Sequence, residues 1–583
     1  MNSISHIGLK AVLTASLLAC SLSLGAQDRF TIDGLTYAVT TGNTVAVVGS
    51  EDSFEIHEYV IPATVTGDDG MAYTVTAIGD SAFYSRSFLQ NVQLPATITS
   101  IGRNAFTSCW GLTSIDLPGA VTVIGDEAFN NCTGLTSMTI PPAVNTIGSR
   151  AFRRCLSLST LDIPGSVTSI GDGAFALCEG LTSAFIPQSV ARLGTSIYEE
   201  CYNLASIVVD EGNTVYDSRN GCNAIIHSST GTLVQGCQSA QVPSTVTSIG
   251  QRAFYGCSGL AAIDLPDAVT SIGDEAFCGC SSLSSLTLSG GLQQIGIDAF
   301  RSCTALTAVE IPASLTVVGN GMFRECKALA SLTIPTGITA IGSDAFNNCT
   351  ALESVALPST ITRIGHDAFA WCSALSTINI PTAVDTIDDY AFFHCRRLAS
   401  IALPASLRYL GTSSLYGCTR LTSITLPNSI TAIQEYTFGY CWGLNTVVIP
   451  PSVAHIGSNA FYDCTEISSL TCQATTPPTV ADASAFEDIY GTATLYVPER
   501  SVALYQAAPV WQQFSSISGL QPEFIPGDID GDGRITIVDV TTLIDILLQG
   551  GPNESPAADV DGNGSISIGD ITAIIDLLLT NDE

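Results

Sequence analysis

Apolar positions recur along this chain at one fixed interval. An Ile, or a close variant usually followed by Gly, stands at Ile78, Ile101, Ile124, Ile147, Ile170 and Leu193, every 23 residues. The series resumes at Ile249, Ile272, Ile295, Val318, Ile341, Ile364, Ile387, Leu410, Ile433 and Ile456 with the same period. The shared pattern is I-G-x-x-A-F-x-x-C-x-x-L-x-x-I-x-L-P-x-x-V-T-x, and sixteen copies without drift in length mark a repeat architecture. Within a copy, Leu112, Ile115 and Leu117 have strand-like spacing, and Pro118 ends the strand. Ile124-Gly125 turns the chain, and Ala128-Phe129 supplies a short turn of helix with one bulky inward side chain. One such unit cannot bury its apolar positions, but stacked neighbours bury them as a continuous core. The expected fold is a repeat solenoid, mostly β with short helical turns. Between Leu193 and Ile249 the spacing is 56 residues, two periods plus ten, so the coils at about 210–245 carry an insertion. It contains Tyr216-Asp217-Ser218-Arg219 and two cysteines outside the repeat column, Cys222 and Cys237.

Composition narrows the function. Among 583 residues, Asp and Glu number 53 and Lys and Arg 20, a net charge of −33 that would repel nucleic-acid phosphates and anionic membranes. Hydrophobic residues at 46% rule out wholesale disorder, and 51 Gly with 25 Pro suit a turn-rich β chain. At the N-terminus Lys10 precedes an apolar run from Ala11 to Gly25, which reads as an export signal cleaved after Ala26. Leu17-Leu18-Ala19-Cys20 offers a rival reading, in which Cys20 becomes a lipid anchor. Either way the mature chain is expected outside the cell, secreted or held at its surface, with no transmembrane helix.

The columns A-F-x-x-C-x-x-L-x-x-I-x-L-P closely resemble leucine-rich repeats of the BspA-like family. Phe30 to Tyr37 resembles that family's opening segment, and Leu495 to Pro498 with Trp511 to Phe514 resembles its C-terminal cap. The resemblance implies an N-terminal cap at 27–77 after the signal at 1–26, repeats at 78–470 and a C-terminal cap at 471–520. It also implies a surface protein engaged in adhesion. Fifteen cysteines from Cys109 to Cys464 share one repeat column. Stacked equivalents lie about 4.8 Å apart, beyond the ~3.8 Å Cβ separation of a disulfide, so a buried ladder of free thiols is expected. Cys222 and Cys237 lie off the column, where a local disulfide is one option. No His column accompanies the thiols, no G-x-S-x-G or H-E-x-x-H occurs, and the six histidines share no common column. The acidic pair Asp388-Asp389 reads as solvated turn residues. A catalytic role is therefore not expected. Thr and Ser at outward strand positions, such as Thr113-Ser114 and Thr136-Ser137, either bind a ligand or only keep the face soluble. Trp110, Trp371 and Trp442 are scattered aromatics that could stack on sugars.

After a linker at 521–527 the tail repeats one acidic pattern 31 residues apart. Asp528, Asp530, Asp532, Arg534, Thr536 and Asp539 hold positions 1, 3, 5, 7, 9 and 12 of the first loop, and Asp559, Asp561, Asn563, Ser565, Ser567 and Asp570 those of the second. This is the oxygen-ligand order of an EF-hand, so two Ca²⁺ ions are expected. Only an exiting helix follows each loop. Two such half-motifs resemble a type I dockerin, which implies a small α-helical calcium-binding domain at 528–583 and a cohesin-type partner. Val540, Leu543, Ile544 and Leu547 are expected to pack against Ile571, Ile574, Ile575 and Leu578. Candidate partner contacts are Ile537, Val538, Ile544, Asp545, Ile568, Gly569, Ile575 and Asp576. This chain departs from the dockerin pattern with hydroxyls at position 9, apolar residues at 10 and 11, and Asp545 and Asp576 where basic residues are common. The function expected is non-catalytic binding or adhesion outside the cell: the solenoid holds a protein or glycan, and the tail docks onto a cohesin. The alternative is an accessory part of a polysaccharide-degrading complex associated with glycoside hydrolases.

Overall fold

The computed structural model describes residues 29–51, 55–520, 526–530, 534–549 and 556–580. The expected export signal and Cys20 lie outside them. The chain is a β-solenoid of about 19 turns with few helices and a small helical C-terminal region. It divides into two compact units, one ending at Ser314 and the other starting at Leu315.

The first unit opens with antiparallel strands Arg29–Ile32, Leu35–Val39 and Thr44–Ser50. Thr44–Ser50 then pairs in parallel with Ala72–Ile78, which leads into the first coil. Each coil contributes a two-residue strand at the Ile-Gly position, such as Val123–Ile124 and Thr146–Ile147. Many add a three-residue strand on another side, such as Ser137–Thr139 and Thr160–Asp162. All pair in parallel one period apart, Ile124 with Ile147 and Ser137 with Thr160. The insertion forms an antiparallel hairpin, Ala224–His227 with Thr232–Gly236, and the second strand pairs in parallel with Ser248–Ile249 to rejoin the coils. Asp217 holds it, accepting from Ser228 Oγ at 2.7 Å and pairing with Arg219.

The Ala-Phe segment is not helical, contrary to the sequence expectation. Phe129 N–H donates to Ala151 of the next coil at 2.7 Å, so the backbone bonds between coils. The turn on either side places Glu127 at φ 56° and Asn131 at φ 62°, outside the helical region. The phenylalanines form a buried stack: Phe83, Phe106, Phe129 and Phe152 follow at 5.1, 5.2 and 5.4 Å with planes within 8°. Phe346, Phe369 and Phe392 do the same in the second unit.

The cysteine column is a ladder of free thiols, as expected. Each has a use: Cys132 Sγ donates to Phe106 O at 3.1 Å, and Cys372 Sγ to Phe346 O at 3.1 Å. Burial pushes the Cys372 and Cys418 thiols up to about 12. Cys222 and Cys237 are also free, Cys222 turned to Ala224 O and Cys237 to Asn223 O, so the local disulfide is not formed. The glycine that follows the Ile in most coils marks a close approach. A Cβ on Gly148 would lie 2.5 Å from Asp126 N and Gly125 C.

The second unit closes on aromatic residues: Trp511 is buried with its Nε1–H on Pro478 O at 2.9 Å, and Tyr505 donates to Ala474 O at 2.8 Å. Among the described residues no helix is long and apolar enough to cross a membrane.

Two outcomes follow. Alkylation under denaturing conditions should modify every cysteine from Cys109 to Cys472 without prior reduction, and a mass short by two alkyl groups would reveal a disulfide. Phe152→Ala should cost about 3–5 kcal/mol by leaving a hole in the stack, read as an earlier urea transition.

Candidate calcium and docking site

The tail is built from two loop-helix units whose helices span Ile537–Gln549 and Ile568–Thr580. One carboxylate organises each. Asp539 Oδ1 accepts from Ile529 N at 2.8 Å and Asp530 N at 3.1 Å, while Oδ2 accepts from Thr536 N at 2.7 Å. Asp570 repeats this with Val560 N at 2.7 Å, Asp561 N at 3.1 Å and Ser567 N at 2.8 Å. Both carboxylates sit in the first turn of their helix, where the helix dipole favours negative charge. Burial would raise their pKa, but the backbone N–H bonds outweigh it and hold both below the ordinary carboxylate value.

Thr536 and Ser567 take the capping role at the same turns. Thr536 Oγ1 accepts from Val538 N at 3.1 Å, and Ser567 Oγ from Gly569 N at 3.0 Å. With Asp539 and Asp570 reaching back to the Thr536 and Ser567 N–H groups, each start is a reciprocal cap.

The loop carboxylates converge. Asp528, Asp530 and Asp539 bring one oxygen each within 4.8 Å of one another, and Asp559, Asp561 and Asp570 do the same. Asp559 Oδ1 is buried without a hydrogen-bond partner, an anionic oxygen that a hard cation would satisfy. The residues therefore fit Ca²⁺. Asn563 lies against the second trio, its Nδ2–H donating to Asp561 Oδ2 at 2.8 Å and its Oδ1 accepting from Ser565 N at 2.9 Å. Gly562 and Gly564, at φ 70° and 83°, supply the left-handed turns of that loop. Asp532 lies outside the described residues, and Arg534 is exposed.

Val540, Leu543, Ala558 and Ile574 form the buried core between the helices, flanked by Leu547, Ile571 and Leu578. Ile544 and Ile575 do not join it: they are 37% and 39% exposed, because the helix turns them away. The sequence reading missed Ile529, Ile535, Val560 and Ile566, loop side chains that reach the core and tie each acidic loop to it. The proposed contact residues Ile537, Val538, Asp545, Ile568, Gly569 and Asp576 are all exposed. Leu548 and Leu579, unremarked in the sequence reading, are more than 70% exposed and extend the same apolar faces. The 31-residue repeat relates them and could have found them.

On the solenoid, many hydroxyls turn out to be engaged between coils: Thr136 Oγ1 donates to Thr113 O at 3.2 Å and Ser376 Oγ to Glu353 O at 3.2 Å. Asp389, read as merely solvated, accepts from Thr412 N and Tyr409 OH, both at 2.8 Å, and Asp388 pairs with Arg363.

Asp570→Ala should release the N–H groups of Val560, Asp561 and Ser567, at about 1–3 kcal/mol for lost hydrogen bonds to a charged acceptor. Faster hydrogen exchange at those amides, with the solenoid unchanged, is the expected readout.

The chain matches the model of the BspA type leucine rich repeat region, in 6 copies, over residues 71–179, 100–222, 234–353 and 339–468. The dockerin type I domain model matches residues 526–579. No curated protein matches the chain. Among solved structures, a leucine rich cell surface protein from Faecalibacterium prausnitzii is 29% identical, with 60% of this chain and 94% of that one covered and a TM-score of 0.47. A leucine-rich repeat protein from Eubacterium ventriosum is 24% identical, covering 62% and 93%, with a TM-score of 0.50. One from Bacteroides ovatus is 23% identical, covering 84% and 100%, with a TM-score of 0.40. The Eubacterium structure shares the fold. With the repeat model spanning most of the stacked coils and the acidic loop-helix pair matching separately, the chain belongs to the BspA type leucine-rich repeat family and carries a C-terminal type I dockerin domain.

Proposed function

We propose that this protein is a non-catalytic binding component outside the cell, whose solenoid captures a ligand and whose tail docks it, with calcium, onto a cohesin-type partner. The observation that carries this reading is the pair of carboxylate trios, one per loop-helix unit, each coupled through loop side chains to the core between the helices. Leucine-rich repeats and dockerins are non-catalytic modules, and such proteins are typically extracellular or surface-associated. Type I dockerins bind calcium. In this chain Asp528, Asp530 and Asp539 would hold one Ca²⁺, and Asp559, Asp561 and Asp570 a second, with Asp532 and Asn563 completing their loops. The ion supplies positive charge where three carboxylates otherwise repel one another. The docking surface is the exposed apolar faces: Ile537, Val538, Ile544 and Leu548 on one helix, Ile568, Ile575 and Leu579 on the other. The acceptors Asp539 and Asp570 fix where each helix begins, and hence where those faces point.

Calorimetry on the full-length protein should show two calcium sites, and Asp528→Ala with Asp559→Ala should remove both. Pull-down from a surface fraction should recover a partner with calcium and lose it in chelator. Capture that is indifferent to chelator would overturn the docking reading, and hydrolysis of a glycan by the purified protein would overturn the non-catalytic one.

A further inference from the structure

Beyond the buried phenylalanine stack, the second unit carries another row of rings on its surface. Trp371, Phe393, Tyr416, Tyr440 and Tyr462 come one from each of five successive coils. Their centroids follow at 5.6, 4.9, 5.1 and 5.3 Å. Trp371 is 41% exposed, and the other four are half-buried. The residues just inside them in the same coils, such as Phe369 and Phe438, are fully buried.

Folding does not require aromatic side chains here. In the two preceding coils of the same unit the equivalent positions are Arg324-Glu325 and Asn347-Asn348, and those coils stack as well. An unbroken row of part-exposed rings therefore has another cause. Its surroundings are polar. Trp442 flanks Tyr440 at 6.1 Å and donates its Nε1–H to Asp463 at 2.9 Å. His394 lies on Trp371 at 4.3 Å, and the Arg396 guanidinium sits 5.9 Å above the Trp371 ring. Burial, and then Arg396, lower the His394 pKa from the ordinary histidine value.

A row of rings, each about one coil apart, three of them phenols, with the Asp463 carboxylate and the Arg396 guanidinium beside it, suits one ligand chemistry. A pyranose has an apolar C–H face that rests on an aromatic ring and a rim of hydroxyls that need both donors and acceptors. A linear chain of such sugars repeats both features along its length. Single-stranded nucleic acid also stacks on aromatic rows, but it needs a basic groove, and this chain carries −33. A proline-rich peptide reads aromatic grooves by accepting hydrogen bonds from indole N–H groups; here the indole of Trp442 is spent on Asp463 and four of the five rings in the row carry no indole.

We propose that the row from Trp371 to Tyr462 is a binding strip for a neutral linear polysaccharide, whose sugar rings lie along the parts of the aromatic side chains that their own stacking leaves exposed. This rests on reading the solenoid as the ligand-binding part, and it names where and what it binds.

The test is affinity electrophoresis of the full-length protein in gels containing mixed-linkage β-glucan, arabinoxylan or galactomannan. The expected result is retardation by at least one of them. A Trp371→Ala, Tyr416→Ala, Tyr440→Ala triple variant should bind about tenfold more weakly or less, as lost ring contacts imply. Tyr84→Ala, at an exposed ring in the other unit, should bind as the parent does. Should the triple variant melt early, Trp371→Ala and Trp442→Ala singly should each weaken retardation. Undiminished binding in a folded triple variant would overturn the strip while leaving the solenoid as the binding part. Retardation by none of the three would overturn the polysaccharide assignment. Binding of a proline-rich peptide that the triple variant loses would reassign the row to peptides. Chelator-sensitive partner capture, measured on the same variants, reports on the tail separately.

Discussion

Everything in the solenoid follows from one requirement: each coil must return to the same place on its neighbour. Parallel pairing of Ile124 with Ile147 and of Ile147 with Ile170 holds only if no residue is gained or lost between them. Once the register is fixed, identical side chains are forced to lie one coil apart, and the composition of each column becomes a packing problem. Phe suits the inner column because flat rings stack at the coil spacing without a gap. Cys suits the next because its small thiol fits between coils and still donates, reaching a Phe carbonyl of the neighbouring coil. Gly suits the turn in most coils because the adjacent backbone crowds the place of a Cβ, although Asp388 and Gln434 hold that position in two of them.

The repeat was legible because a packing rule imposed sixteen times leaves a period in the sequence. What was not legible depended on contacts between coils that no single repeat reveals. The Ala-Phe segment reads as a helical turn by composition, yet residues such as Glu127 and Leu177 hold positive φ. Neither is a residue type that signals such a conformation. Stacking imposes it, because a helical turn would bond within itself and leave the next coil unpaired. The surface row of rings was hidden for a different reason. Trp371 and Tyr440 occupy one column, while Phe393, Tyr416 and Tyr462 occupy the column before it. Neither column alone looks aromatic, and only the structure shows that the two interleave.

In the tail the loop pattern was legible and the roles within it were only partly so. Hydroxyls at Thr536 and Ser567 read from spacing as ligands, and the geometry shows a role that spacing did not reveal, the start of each helix. Ile544 and Ile575 read as core by helical spacing, but with only two helices the buried face is narrow and leaves them out. A stripe wide enough for a larger domain exceeds what a single partner helix can cover.

The two parts thus meet opposite limits. In the solenoid a coil gains stability from its two neighbours, so residues outside the core columns are free to vary without unfolding it. Arg324-Glu325, Asn347-Asn348 and Phe393-His394 occupy equivalent places in coils that stack alike. That freedom is what permits a ligand surface to be written along one side. The tail has less freedom: among the described residues, most loop side chains collect at a carboxylate trio, cap a helix or reach the small core. What remains for recognition is the pair of outward helix faces, and both carry apolar residues that the tail's own core leaves in water. Where those faces point depends on where each helix begins, and that is set by the carboxylates of Asp539 and Asp570, so the proposed docking surface and the acidic loops are coupled through the helix starts.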